Sequence, residues 1–183
     1  AWPQLDGTLK ATYFEARFGP KNRRSESTDD ATLSTDDPYQ LKIGEEQVRF
    51  TGQIDRIDVG QVGGVTVFNV IDYKTSAKQK VDDAKMRAGT QLQLPLYAMA
   101  VAELLLAEQE AVGLSAGYWS IRGKGFGAGA RSGGPLSLSE IEKGVLREAA
   151  AWPELKGALI QRIGEIVDGI RQGWFPVFNE DKD

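Results

Sequence analysis

Two β-branched runs joined through a glycine pair constrain this chain more than any other feature. Gln47–Val59 (QVRFTGQIDRIDV) and Val65–Lys74 (VTVFNVIDYK) read as strands. Between them, Val62-Gly63-Gly64-Val65 suits a two-residue hairpin turn, because such turns need positive φ and glycine adopts it at no steric cost. With Val62 opposite Val65, stepping outward sets Asp55 opposite Asp72 and Gln53 opposite Lys74. Side chains alternate faces along a strand, so Asp72 and Lys74 share a face and Asp55 joins them on it.

Directly opposed residues hold their Cβ atoms about 4.5–5.5 Å apart, and like charges there destabilise a sheet. Two opposed carboxylates therefore invite a cation, and a hard divalent ion fits, held by one or two carboxylates and completed by water and phosphate oxygens. Lys74 lies about 7 Å along the strand from Asp72, within reach of the same place. From the residues alone a plainer reading stands beside this one: two solvated aspartates on a polar sheet face. A bulge at Gly60 would break the register.

The residue types narrow the chemistry further. With no Cys, the 183 residues offer no disulfide, thiolate ligand or Cys nucleophile, and with no His they lack the commonest general base and zinc ligand. Catalysis falls to carboxylates, Lys or Tyr, and oxygen ligands favour Mg²⁺, Mn²⁺ or Ca²⁺. Apolar (41%) and charged (26%) shares suit a soluble domain with a sizeable core. No apolar run reaches the roughly 18 residues of a membrane span, and no signal-peptide pattern opens the chain, so a cytoplasmic protein without a membrane partner is expected. The absence of an initiator Met suggests a piece of something longer. A net charge of −4 weighs mildly against a generic nucleic-acid binder, yet leaves room for a local positive groove.

Elsewhere, Thr12–Phe18 and Ala116–Arg122 read as strands, and Tyr39–Ile43 as a short strand turning at Gly44–Glu46. Gly19–Pro38 and Ser76–Lys85 read as polar loops, and Gly123–Pro135 as a flexible Gly-rich segment. Thr90–Glu110 reads as a strong helix, with Pro95 marking its first turn or a kink. Ser137 or Ser139 is expected to cap a last helix with Glu140 and Glu142 in its first turn, running to a stop at about Gly173 with an interruption at Trp152–Pro153. Trp2, Trp152 and Trp174 are expected to pack. No repeat or second core is visible, so residues 1–183 read as a single α/β domain.

Three segments carry a family resemblance: Gly52-Gln53-Ile54-Asp55-Arg56-Ile57-Asp58, Ile71-Asp72-Tyr73-Lys74-Thr75 and Leu92-Gln93-Leu94-Pro95-Leu96-Tyr97-Ala98. In order and spacing they resemble the successive signatures of the RecB-type PD-(D/E)XK nucleases, and most of all the C-terminal nuclease domains of AddB-type helicase–nuclease subunits. Phe14-Glu15-Ala16-Arg17-Phe18-Gly19 and Gly117-Tyr118-Trp119-Ser120-Ile121-Arg122 extend the likeness, which covers roughly residues 12–178.

The resemblance implies a restriction-endonuclease-like α/β fold, a mixed central sheet flanked by helices. It implies a Mg²⁺- or Mn²⁺-dependent, exonuclease-type deoxyribonuclease of DNA repair and recombination. Asp55 and Asp72 would be metal ligands, together with the Tyr73 backbone carbonyl, and Lys74 the catalytic lysine. Gln93 and Tyr97, on one helix face by their i,i+4 spacing, would bind or position substrate. DNA would arrive as a single strand from helicase domains, alongside a helicase–nuclease partner subunit. Two departures stand out. The family's upstream helix supplies a His or acidic ligand with no counterpart before Thr12, and the four cysteines that ligate an iron–sulfur cluster in many AddB-type domains are missing, so a cluster belongs at most to a longer parent. A fragment, or a module that no longer cuts, would each explain this. Asp58 is expected to partner Arg56. Lys78, Lys80, Lys85 and Arg87 are either DNA-backbone contacts or a solvated loop. Gly123–Gly134 lacks GKS or GKT, which excludes a nucleotide-binding P-loop there. The rivals are a nuclease-like DNA-binding or scaffolding module and, more distantly, a two-carboxylate glycosidase.

Overall fold

A computed structural model describes residues 9–21, 29–76, 80–122, 125–126 and 134–174. Its centre is a mixed sheet. Strands β1 (Lys10–Phe18), β4 (Gly52–Val62), β5 (Val65–Lys74), β6 (Val112–Ser120) and β7 (Gly125–Phe126) lie side by side in that order, and β8 (Leu136–Ser137) also pairs with β6. Among the described strands of this sheet only β5 and β6 run parallel. A parallel pair needs a long crossover, supplied here by α1 (Asp83–Arg87) and α2 (Gln93–Ala100). The long helix α3 (Trp152–Arg171) packs against α1 and touches a separate hairpin of β2 (Tyr39–Ile43) and β3 (Glu46–Phe50). This is an α/β, restriction-endonuclease-like arrangement.

The hairpin register is the expected one. Val62 opposes Val65, and the pairing runs without a bulge to Arg56 opposite Ile71. Gly63 and Gly64 hold φ of +55° and +83°, which the turn requires. Phe68 and Val70 face the main core with Met99, Leu94 and Ala98 from the crossover. A smaller cluster of Val62, Val67 and Leu114 forms on the other side.

Several expectations are corrected. The run Gln47–Val59 is two strands, broken at exposed Thr51, where β3 leaves to pair with β2 and β4 joins the sheet. The loop Ser76–Lys85 hides the start of α1, capped by the Asp82 carboxylate accepting from Lys85 N at 3.1 Å. The helix expected over Thr90–Glu110 begins at Gln93 and widens into a π turn at Val101–Leu105. It ends where Glu110 takes a left-handed φ of +48°. Residues Ser139 to Glu148 are no helix start but a hairpin, β9 (Ser139–Glu142) and β10 (Val145–Glu148). Its two turn residues, Lys143 and Gly144, both hold positive φ, +51° and +79°. Trp152–Pro153 then opens α3 instead of interrupting it, as a proline in the first turn allows.

Pro95 falls in the first turn of α2, and Gly173, with φ +72°, follows the C-cap Gln172 of α3. Trp152 is buried, whereas Trp174, expected to pack, is 65% exposed, with its ring beside Gly169. Trp2, Lys78 and most of the Gly-rich segment, with Lys124 and Arg131, lie outside the described residues. No helix among the described residues is long and apolar enough to cross a membrane.

Candidate active site

The site forms where the β4–β5 ladder stops. Backbone pairing ends at Arg56–Ile71, one step short of the expected Asp55–Asp72 pair. From there a side chain replaces the ladder: Asp55 Oδ2 accepts from the Tyr73 amide at 2.6 Å. Gln53, expected opposite Lys74, lies beyond the last paired residues of β4 and β5.

Asp72 continues the row of Phe68 and Val70 onto the face covered by α2, and only 2% of it is exposed. A carboxylate so buried needs partners. Lys74 Nζ lies 2.6 Å from Asp72 Oδ2, and Gln93 Nε2 donates to Asp72 Oδ1 at 2.8 Å. Gln93 also receives: its Oε1 accepts from Lys74 Nζ at 3.3 Å, while its Nε2 reaches the Tyr97 hydroxyl at 3.3 Å. The Lys74 ammonium stands 5.3 Å from the Tyr118 ring centroid, within cation–π range. Tyr97 is braced edge-on by Phe18, ring centroids 5.9 Å apart.

These contacts leave Asp72 short of charge compensation. Burial pushes its carboxyl above the ordinary carboxylate range, Lys74 and Gln93 pull it back, and the charge of Asp55 adds to the rise. Tyr97 is pushed up too, by burial first and then by Asp72 and Asp55. The sequence residues Asp55, Asp72, Tyr73, Lys74, Gln93 and Tyr97 thus converge at one end of the sheet.

Glu15 was given no role by the sequence, yet it falls beside Asp55, between the pairs Phe14–Arg56 and Ala16–Ile54. Its backbone is left-handed, φ +54°, uncommon for a non-glycine residue. Burial and the charges of Asp55 and Asp29 raise its carboxyl. Only the β1–β4 register, which no turn motif announces, would have revealed that neighbourhood. On the far face, Asp58 grips Arg56 as expected, Nε to Oδ1 at 2.6 Å and Nη2 to Oδ2 at 3.0 Å. Arg87 is engaged by Asp83 and Glu154, at 2.8 and 3.1 Å.

A hard divalent cation suits this donor set: carboxylate oxygens, a buried aspartate whose charge is only partly balanced, and no nitrogen or sulfur ligand. Among the described residues no group of three acidic side chains closes around such an ion.

The family model described as the PD-(D/E)XK nuclease superfamily matches residues 1–182. The chain belongs to the PD-(D/E)XK nuclease superfamily. Similar stretches occur in two bacterial proteins, both named as subunits of an ATP-dependent helicase/deoxyribonuclease. The one from Exiguobacterium sibiricum is 34% identical over 110 residues, 59% of this chain and 9% of the relative. That from Staphylococcus saprophyticus is 35% identical over 103 residues, 56% and 8% respectively. The chain therefore matches less than a tenth of the length of either relative.

Proposed function

We propose that this chain is the nuclease domain of a longer helicase–nuclease subunit, and that it hydrolyses phosphodiester bonds in DNA with the help of Mg²⁺ or Mn²⁺. The observation that carries this reading is the cluster at the open end of the hairpin, where Asp55, Asp72 and Lys74 meet under Gln93. Asp55 and Asp72 would hold the ion. Tyr73 would add its carbonyl: successive peptide groups alternate sides along a strand, and the Lys74 carbonyl accepts from Ile121 N at 2.9 Å towards β6. The Tyr73 peptide edge, whose amide already meets Asp55, therefore faces the other way, towards β4. Such an ion supplies charge neutralisation at the phosphate and acidifies water.

The residues of the chain do the rest. Lys74, within reach of the phosphate, orients the attacking water or balances charge that builds on phosphate oxygen. Gln93 fixes both Asp72 and Lys74, and Tyr97 fixes Gln93. The substrate reading is single-stranded DNA delivered by helicase domains in a cytoplasmic repair complex; the names of the two relatives support its helicase and deoxyribonuclease parts. The second reading, a nuclease-like module that binds or braces without cutting, is favoured by the lack of a three-carboxylate cluster among the described residues.

The deciding experiment is Lys74→Ala in the full-length protein that contains this chain. Cleavage of DNA is expected to fall by at least about a hundredfold, with DNA binding and any ATP-driven unwinding nearly unchanged. Metal-dependent cleavage that survives Lys74→Ala refutes the mechanism. A parent that never cuts favours the scaffold.

A further inference from the structure

Arg56 sits beside the proposed ion seat, on the opposite face of the sheet. An arginine in such a place would ordinarily be assigned to a DNA phosphate. Its contacts argue otherwise. Nε and Nη2 are spent on the two oxygens of Asp58, which is 5% exposed, and Nη1 donates to the Tyr73 hydroxyl at 3.3 Å. The guanidinium is thus turned inward and its charge is matched.

The position of this contact gives it meaning. Arg56 is the last β4 residue paired with β5, opposite Ile71. Tyr73 is the diagonal neighbour two residues on, where backbone pairing has stopped. Tyr73 is therefore held twice across the splayed end: by the Asp55 carboxylate on its amide, and by Arg56 on its hydroxyl from the far face. We propose that Arg56, clamped by Asp58, is a positioning residue that holds Tyr73 and so sets the spacing of Asp55 and the Tyr73 peptide edge at the ion seat. The proposal rests on the reading of that end as a cation site.

Mn²⁺ binding to the whole 183-residue chain, followed by the electron paramagnetic resonance signal of free Mn²⁺, tests it without recourse to cleavage. Tyr73→Phe removes one hydroxyl and leaves the Arg56–Asp58 pair intact, so the chain stays folded; its Mn²⁺ dissociation constant is expected to rise about tenfold, the usual scale for an outer-layer partner of a metal ligand. Arg56→Lys cannot span both partners and is expected to give a similar rise. The double variant is expected to add nothing further, and affinity for single-stranded DNA without cation is expected to hold in all three. Wild-type Mn²⁺ affinity in Tyr73→Phe overturns the clasp, as do effects that multiply in the double variant. Lost DNA affinity with Mn²⁺ binding intact would return Arg56 to the phosphate role. Asp72→Asn serves as the reference and is expected to abolish binding. Mn²⁺ binding that survives it, or none in the wild type, overturns the ion-seat reading and the clasp with it.

Discussion

The two ends of the β4–β5 hairpin are built by different means. At the turn end the backbone does everything: pairing is complete up to Val62–Val65, and Gly63 and Gly64 have open space where a Cβ would stand. At the other end pairing stops and side chains take over, with Asp55 on the Tyr73 amide, Arg56 on its hydroxyl, and Gln93 spanning Asp72 and Lys74. The first end specifies register. The second stores charge. Substitutions at the turn should cost stability alone, whereas those at the open end should change how the protein responds to cations and pH.

Asp72→Asn should separate the ends most clearly. Millimolar Mg²⁺ or Mn²⁺ is expected to raise the melting temperature of the wild-type chain, since a ligand that binds only the folded state stabilises it, and Asp72→Asn should remove most of that rise. Without cation the sign reverses. The folded-state pKa of Asp72 is raised, mainly by burial, so the group favours folding most when protonated, below the ordinary carboxylate range, and loses that contribution as pH rises through its raised value. Cation-free Asp72→Asn should therefore melt above the wild type at neutral pH, and the gap should close on acidification. A variant that keeps the full cation response would place the ion elsewhere. One that melts lower at neutral pH would mean that the Lys74 pair outweighs burial.

Tyr97→Phe is the next largest. It leaves one Gln93 proton without its acceptor, at about 1–2 kcal/mol. Chemical denaturation measures this cost, and the cation response should weaken without disappearing. Unaltered stability would mean that water replaces the hydroxyl freely.

Gly64→Ala, at φ +83°, should be the smallest, about 1 kcal/mol from backbone strain alone. The cation-induced melting shift should match that of the wild type. A changed shift would show that the ends are coupled.

The hairpin was legible because its information is local. A glycine pair sets the turn, the period of two carries the register along, and Asp55, Asp72 and Lys74 follow. The Gln93–Tyr97 pair came from the family resemblance, and helical spacing added only that both lie on one face. What escaped depends on partners distant in sequence. Nothing around Thr51 marks where the chain leaves one sheet for another, because both strands share the same β-branched composition. Glu15 meets Asp55 only through the β1–β4 register. The β9–β10 hairpin did carry a cue in Lys143-Gly144, but the acidic residues Glu140 and Glu142 resembled a helix start more strongly. The clasp of Arg56 on Tyr73 required coordinates.

Lys74 does one more thing at rest. Its ammonium, 2.6 Å from Asp72, compensates one of two neighbouring carboxylates, whose like charges act on each other. Many small metal-binding domains stay unfolded until their ion arrives. Here an internal counter-charge offsets part of that repulsion, so the fold is expected to form before its ion arrives and to load it afterwards.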